Sequence, residues 1–151
     1  MRALGGLARY ARVAITVAMS VAEGTKPVRP VAPVLVVEDD PDQRDAVALA
    51  LESEGYAVVT ASTGLEALEL LGAGTMPCLI LLDLMMPEMD GVQFRGEQLK
   101  SETFARIPVV VLSAFGQATR AKYLKVAEYL RKPVALDHLL SVVDRIVQQG
   151  A

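Results

Sequence analysis

The stretch Leu79-Ile80-Leu81-Leu82-Asp83-Leu84-Met85-Met86-Pro87-Glu88-Met89-Asp90-Gly91 decides how the rest of the chain is read. Four aliphatic residues without polar alternation predict a strand buried on both faces, as in a parallel sheet. The run stops on an aspartate. Working outward, Val34–Val37 and Val109–Leu112 repeat the unalternated pattern, and Ala57–Val59 and Tyr129–Arg131 are shorter strands. Helix patterns lie between them. Asp40 is an N-cap, with Pro41 at the first helical position, where its missing N–H costs nothing. That helix ends near Gly55. Leu65–Leu71 follows Thr63-Gly64, and a third helix begins near Gly91. The last helix places Leu136, Leu139, Leu140, Val143, Ile146 and Val147 on one face. Such alternation predicts an α/β fold, a doubly wound five-stranded parallel sheet.

Composition sets the bounds. At 151 residues the chain has room for one domain, and hydrophobic residues at 52% suffice for a core. Aromatics are only 5% and Trp is absent, so that core is aliphatic. The lone Cys78 excludes an internal disulfide and a cysteine-based zinc site, which favours a reducing, cytoplasmic setting. Charge is uneven. Residues 1–33 carry Arg2, Arg9, Arg12, Lys26 and Arg29 against Glu23, a net of +4. Residues 34–151 carry ten basic and seventeen acidic residues, a net of −7, which argues against nucleic-acid binding by the body.

Residues 1–33 read as a separate segment. Val13–Ala22 is apolar or small after three arginines, and Ser20-Val21-Ala22 resembles a secretory cleavage site. It is too short to span a bilayer, and no membrane attachment is expected. A disordered tail, or a start assigned too early with Met19 as the alternative, fits the acidic body better. Three prolines within residues 24–33 make a linker that should isolate the tail from a domain at 34–150.

The acidic residues fall where open parallel sheets bind ligands, outside the carboxyl ends of strands. Glu38, Asp39 and Asp40 follow the first strand and Asp83 follows the third. If those strands are neighbours, Glu38, Asp39 and Asp83 converge and repel, and a hard cation such as Mg²⁺ relieves that repulsion. Asp40 reads mainly as a helix cap. Ser113-Ala114 ends the fourth strand and Lys132-Pro133 ends the fifth. Each is ordinary alone; the ordered combination is not.

Val34-Leu35-Val36-Val37-Glu38-Asp39-Asp40-Pro41 and the stretch from Leu79 to Gly91 resemble the two hallmark segments of response-regulator receiver domains. Val109–Ala114 and Tyr129-Leu130-Arg131-Lys132-Pro133 resemble the other two. The resemblance covers roughly residues 34–149. It implies a (βα)5, flavodoxin-like sheet in the order 2-1-3-4-5 and a stand-alone module of two-component phosphorelay signalling. Asp83 would be the phosphoacceptor. Asp39 and Asp83 would ligate Mg²⁺, with Glu38 acting through water and the Met85 backbone carbonyl as a further ligand. Lys132 and Ser113 would contact the phosphoryl group, Tyr129 would be the aromatic switch residue, and the Lys132–Pro133 bond would be cis. Met85 and Phe115 would flank the approach of hydrolytic water and, being apolar, would lengthen the phosphorylated lifetime. The phosphodonor would be a histidine kinase or histidine phosphotransfer protein, and the output a downstream protein. No enzyme activity is implied beyond self-phosphorylation and autodephosphorylation, and no nucleic-acid partner.

One departure from the family stands out. Fifteen residues separate Ser113 from Tyr129, fewer than usual, and Val126-Ala127-Glu128 replaces the usual Gly-Ala turn. The helix between the fourth and fifth strands should be short or irregular. The alternative function is therefore a constitutive receiver-fold interaction module without effective switching. A related Mg²⁺ phosphohydrolase would want an acid two residues past Asp83, where Met85 stands. His138, Cys78, the Met85/Met86/Met89 group and the Arg120/Lys122/Lys125 cluster read as surface or packing residues.

Overall fold

The computed structural model describes residues 29–114 and 124–150. β1 (Val34–Val37), α1 (Pro41–Ser53), β2 (Val58–Ala61), α2 (Gly64–Gly72), β3 (Leu79–Asp83), α3 (Gly91–Leu99), the single turn α4 (Glu102–Ala105), β4 (Val109–Ser113), β5 (Glu128–Arg131) and α5 (Leu136–Gln149) follow in order. All strand pairs are parallel, and the sheet order is β2-β1-β3-β4-β5. The crossover from β1 over β2 and back to β3 opens the crevice where the acidic residues meet.

Every residue of β1, β3 and β4 is buried, because helices cover both faces of the sheet. Leu35, Val37, Ile80, Leu82, Val109 and Val111 face one core with Ala67 and Leu71 of α2 and Phe94 of α3. Val34, Val36, Leu79, Leu81, Val110 and Leu112 face the other with Leu51 of α1 and Leu139, Val142, Val143 and Ile146 of α5. The strand period of two sorts them. Phe94 is fully buried, and truncating such a side chain costs about 3–5 kcal/mol.

Three elements differ from their sequence-based expectations. β2, expected over Ala57–Val59, runs Val58–Ala61, because β1 continues to pair along it through Thr60 and Ala61. It is an edge strand, and the exposed Thr60 breaks the apolar run that marks the central strands. On α5, Val142 joins the buried stripe in place of Leu136, which is 44% exposed at the first turn. α4 has too little apolar periodicity to announce itself; Ser101 caps it by accepting from Phe104 N at 3.3 Å. The expected irregular helix between β4 and β5 lies largely outside the described residues, as do Phe115, Arg120 and Lys122.

The linker holds a contact that its prolines did not foretell. Arg29 donates through Nε to the Glu54 carbonyl at 3.0 Å and through Nη1 to the Tyr56 hydroxyl at 3.1 Å. Its guanidinium lies 4.5 Å from the Tyr56 ring centroid and pairs with Asp144 of α5 at 2.8 Å. The Tyr56 hydroxyl also donates to Asp144. Gly55, at φ +90°, turns the chain out of α1 and lets the Arg29 stem lie alongside it. The prolines disfavour regular structure, but they do not keep an arginine off a carboxylate and an aromatic face. Among the described residues, no helix is long and apolar enough to cross a membrane.

Candidate functional site

The site is built at the carboxyl ends of β1 and β3. Glu38 and Asp39 continue β1 directly, and the Glu38 N–H still bonds the Ala61 carbonyl of β2 at 3.1 Å. The chain then turns into α1 under two constraints. Asp40 accepts from Asp42 N at 2.9 Å and Gln43 N at 3.0 Å, and Pro41 occupies the first turn. Asp40 is therefore the cap it was expected to be, and the Gln43 N–H holds its carboxyl below the usual carboxylate range. Arg44 donates to the Glu38 carbonyl at 3.0 Å and fixes that turn from the helix side.

Asp83 ends β3. The Met85 N–H donates to its Oδ1 at 3.2 Å. Asp90 then starts α3 with a capping box shared with Gln93. Gly91 is required by close approach: a Cβ there would lie 2.6 Å from the Asp83 carbonyl oxygen and 2.9 Å from Leu84 Cα. Only a hydrogen at that position lets α3 begin directly beneath the loop that follows Asp83.

Carboxylate oxygens of Glu38, Asp39 and Asp83 lie within 4.8 Å of one another. Glu38 and Asp83 are each 5% exposed, whereas Asp39 faces solvent. Burial, and then the Glu38 carboxylate, push Asp83 up to about 6, partly offset by Lys132. Lys132 supplies the cation at the cluster. Its ammonium donates to Glu38 Oε2 at 2.9 Å and to Gln43 Oε1 at 2.9 Å, and stands 3.6 Å from Asp83 Oδ2. The Lys132–Pro133 bond is cis, and the Lys132 N–H bonds the Ser113 carbonyl at 2.7 Å. Three carboxylates against one ammonium leave a local excess of negative charge. That all-oxygen donor set, partly open to water through Asp39, fits Mg²⁺.

Ser113 is fully buried at the end of β4 and donates to the Tyr129 hydroxyl of β5 at 2.6 Å. Met85 is 53% exposed. The expected residues Glu38, Asp39, Asp83 and Lys132 are thus brought together, with Ser113 and Tyr129 paired on neighbouring strands. Phe115 lies outside the described residues. Gln43 was not foreseen; a polar residue in the first turn of a helix is unremarkable until the strand order brings Lys132 beside it. His138 is exposed on α5, and burial raises the thiol of the half-buried Cys78.

Comparison with known proteins agrees with this geometry. The family model for the response regulator receiver domain matches residues 34–144. The transcriptional regulatory protein GlrR of Escherichia coli is 39% identical over 120 residues, covering 78% of this chain but 26% of GlrR. The chain thus spans about a quarter of that relative's length. Among solved structures, the signal receiver domain of a Syntrophus aciditrophicus signal transduction histidine kinase superposes with a TM-score of 0.74. It shares 30% identity and covers 79% of this chain and 92% of that one. The receiver domain of the Pseudomonas aeruginosa sensor histidine kinase PA1611 was solved with a magnesium ion coordinated in its active site cleft. Its TM-score is 0.71 at 26% identity, over 78% of this chain and 98% of that one.

Proposed function

The chain belongs to the family of response regulator receiver domains, and on that premise we propose that it accepts a phosphoryl group on Asp83 in a two-component phosphorelay. The observation that carries this reading is the convergence of Glu38, Asp39 and Asp83 with the Lys132 ammonium 3.6 Å from Asp83. A carboxylate oxygen of Asp83 attacks phosphorus and forms a mixed anhydride. The bond from phosphorus to the donor nitrogen of a phosphohistidine, on a histidine kinase or phosphotransfer protein, breaks, and its electron pair leaves with the imidazole.

Such transfer depends on positioning and charge neutralisation more than on covalent chemistry by the protein. Lys132 neutralises the incoming oxygens as a point charge. The Met85 N–H orients the nucleophile through Oδ1. Mg²⁺, held by Asp39, Asp83 and the Met85 carbonyl with Glu38 acting through water, would supply the remaining positive charge; PA1611, with its coordinated magnesium, supports this.

The added charge then draws on the Ser113 hydroxyl, whose proton is engaged by Tyr129 before phosphorylation. Giving up that bond frees the Tyr129 ring on β5, and a downstream protein reads the altered surface. Residues 34–150 form the receiver unit in this reading, and residues 1–33 a tail and linker. The test is intact mass after incubation with acetyl phosphate and Mg²⁺. The wild type should gain one phosphate and Asp83→Asn none; equal gain in both would refute the assignment.

A further inference from the structure

Lys132 carries three N–H donors on a four-carbon stem, and such a stem rarely stays in one place. Here it is held on two sides. Glu38 accepts from one side at 2.9 Å, and Gln43 Oε1, projecting from the first turn of α1, accepts at the same distance from the other. The 3.6 Å spacing to Asp83 Oδ2 leaves the third direction turned toward the phosphoacceptor. Gln43 is itself well placed. Its backbone N–H is fixed by the Asp40 cap at 3.0 Å, so its side chain starts from an anchored turn. Gln43 and Lys132 line a cleft of about 550 Å³ between α1 and α5, together with Val47, Leu112 and Leu139. Among the described residues that line it, Glu38 is the only carboxylate.

We propose that Gln43 is a positioning residue for phosphotransfer, its side-chain carbonyl orienting the Lys132 ammonium between Glu38 and Asp83. This rests on the reading of Lys132 as the group that meets the phosphoryl oxygens. The amide suits the task because it is neutral. It accepts a hydrogen bond as Glu38 does but adds no negative charge to repel the donor, and it stays in place when Glu38 turns to a cation. Gln43 touches none of Glu38, Asp39 and Asp83 in the described contacts; its side chain also bonds the Asp40 cap, which anchors it, and it reaches the phosphoacceptor through Lys132.

The experiment uses the full chain with acetyl phosphate at saturating Mg²⁺ and follows phosphate incorporation by intact mass. Gln43→Leu keeps the side-chain size and removes the acceptor. It should slow incorporation at saturating acetyl phosphate by roughly fivefold, the worth of one lost orienting hydrogen bond. The half-saturating acetyl phosphate concentration, the Mg²⁺ dissociation constant and the melting temperature should stay within experimental scatter of wild type. Gln43→Asn, which keeps a neutral amide acceptor one methylene shorter, should recover part of the lost rate. A Gln43→Leu protein as fast as wild type would overturn the inference, as would a Gln43→Asn protein as slow as Gln43→Leu. Lys132→Ala separates the two levels. If it is slow while Gln43→Leu is not, only the role of Gln43 fails; if it is as fast as wild type, the reading of Lys132 fails and the inference with it.

Discussion

Replacing Asp83 by asparagine should make the metal-free protein more stable at neutral pH and leave it unchanged in acid. Asp83 is 5% exposed, and burial with the neighbouring Glu38 raises its carboxyl from an ordinary 3.8 to about 6. The folded state therefore holds the proton more tightly than the unfolded chain. Between those two values the unfolded chain has already ionised while the folded one has not, so stability falls as pH rises through the window. Above about pH 6 the whole penalty is present. A shift of about two units, at about 1.4 kcal/mol each, corresponds to roughly 2–3 kcal/mol. Asparagine keeps the shape and removes the charge, while Lys132 keeps Glu38 as its partner. At pH 7.5 in EDTA, Asp83→Asn should therefore melt about 5–10 °C above wild type. Near pH 3, below both values, the two curves should coincide. With no tryptophan in the chain, far-UV circular dichroism is the suitable probe. Mg²⁺ at pH 7.5 should raise the wild type selectively and narrow the gap. Equal melting of the two proteins at pH 7.5, or the same gap near pH 3, would refute the reasoning.

Arg29→Ala should cost on the order of 1–3 kcal/mol by stranding Asp144 and uncovering the Tyr56 ring, read as a lowered urea midpoint. Asp144→Ala in that background should cost less than it does alone, since the two share one contact. Gly91→Ala should lose about 1–3 kcal/mol, because its Cβ would press on the backbone at Asp83 and Leu84, and phosphorylation should slow with it. Met85→Asn combined with Phe115→Glu should speed phosphate release from the purified phosphoprotein by roughly 5- to 150-fold, since neither native side chain can orient a water. Decay no faster than wild type would show that water access at these positions does not set the lifetime.

β1, β3 and β4 are legible in the sequence because strands buried on both faces need no polar residues, so each reads as an unbroken aliphatic run ending on a polar residue. Glu38 and Asp83 are legible for the same reason: each is the first polar residue after an aliphatic run. The neighbourhood of Glu38 and Asp83 follows from strand order, which local pattern does not carry; the family resemblance implied it and the sheet shows it. Edge strand β2 is harder to bound, since Thr60 can face water there without penalty. Gln43 and Arg29 are invisible for a different reason. Their partners, Lys132 and Asp144, lie 89 and 115 residues away, and neither side chain is unusual where it stands. The same holds for Ser113 and Tyr129, whose hydrogen bond depends on the pairing of β4 with β5.

The most direct test of the central claim is to place the phosphoryl group on the chain by chemistry. Protein incubated with acetyl phosphate and Mg²⁺ is treated with borohydride, which reduces an aspartyl phosphate to homoserine, and its peptides are sequenced by tandem mass spectrometry. The account predicts homoserine at position 83 and at no other aspartate. Reduction at Asp39 or Asp40 with Asp83 intact, or labelling that resists reduction altogether, would contradict it.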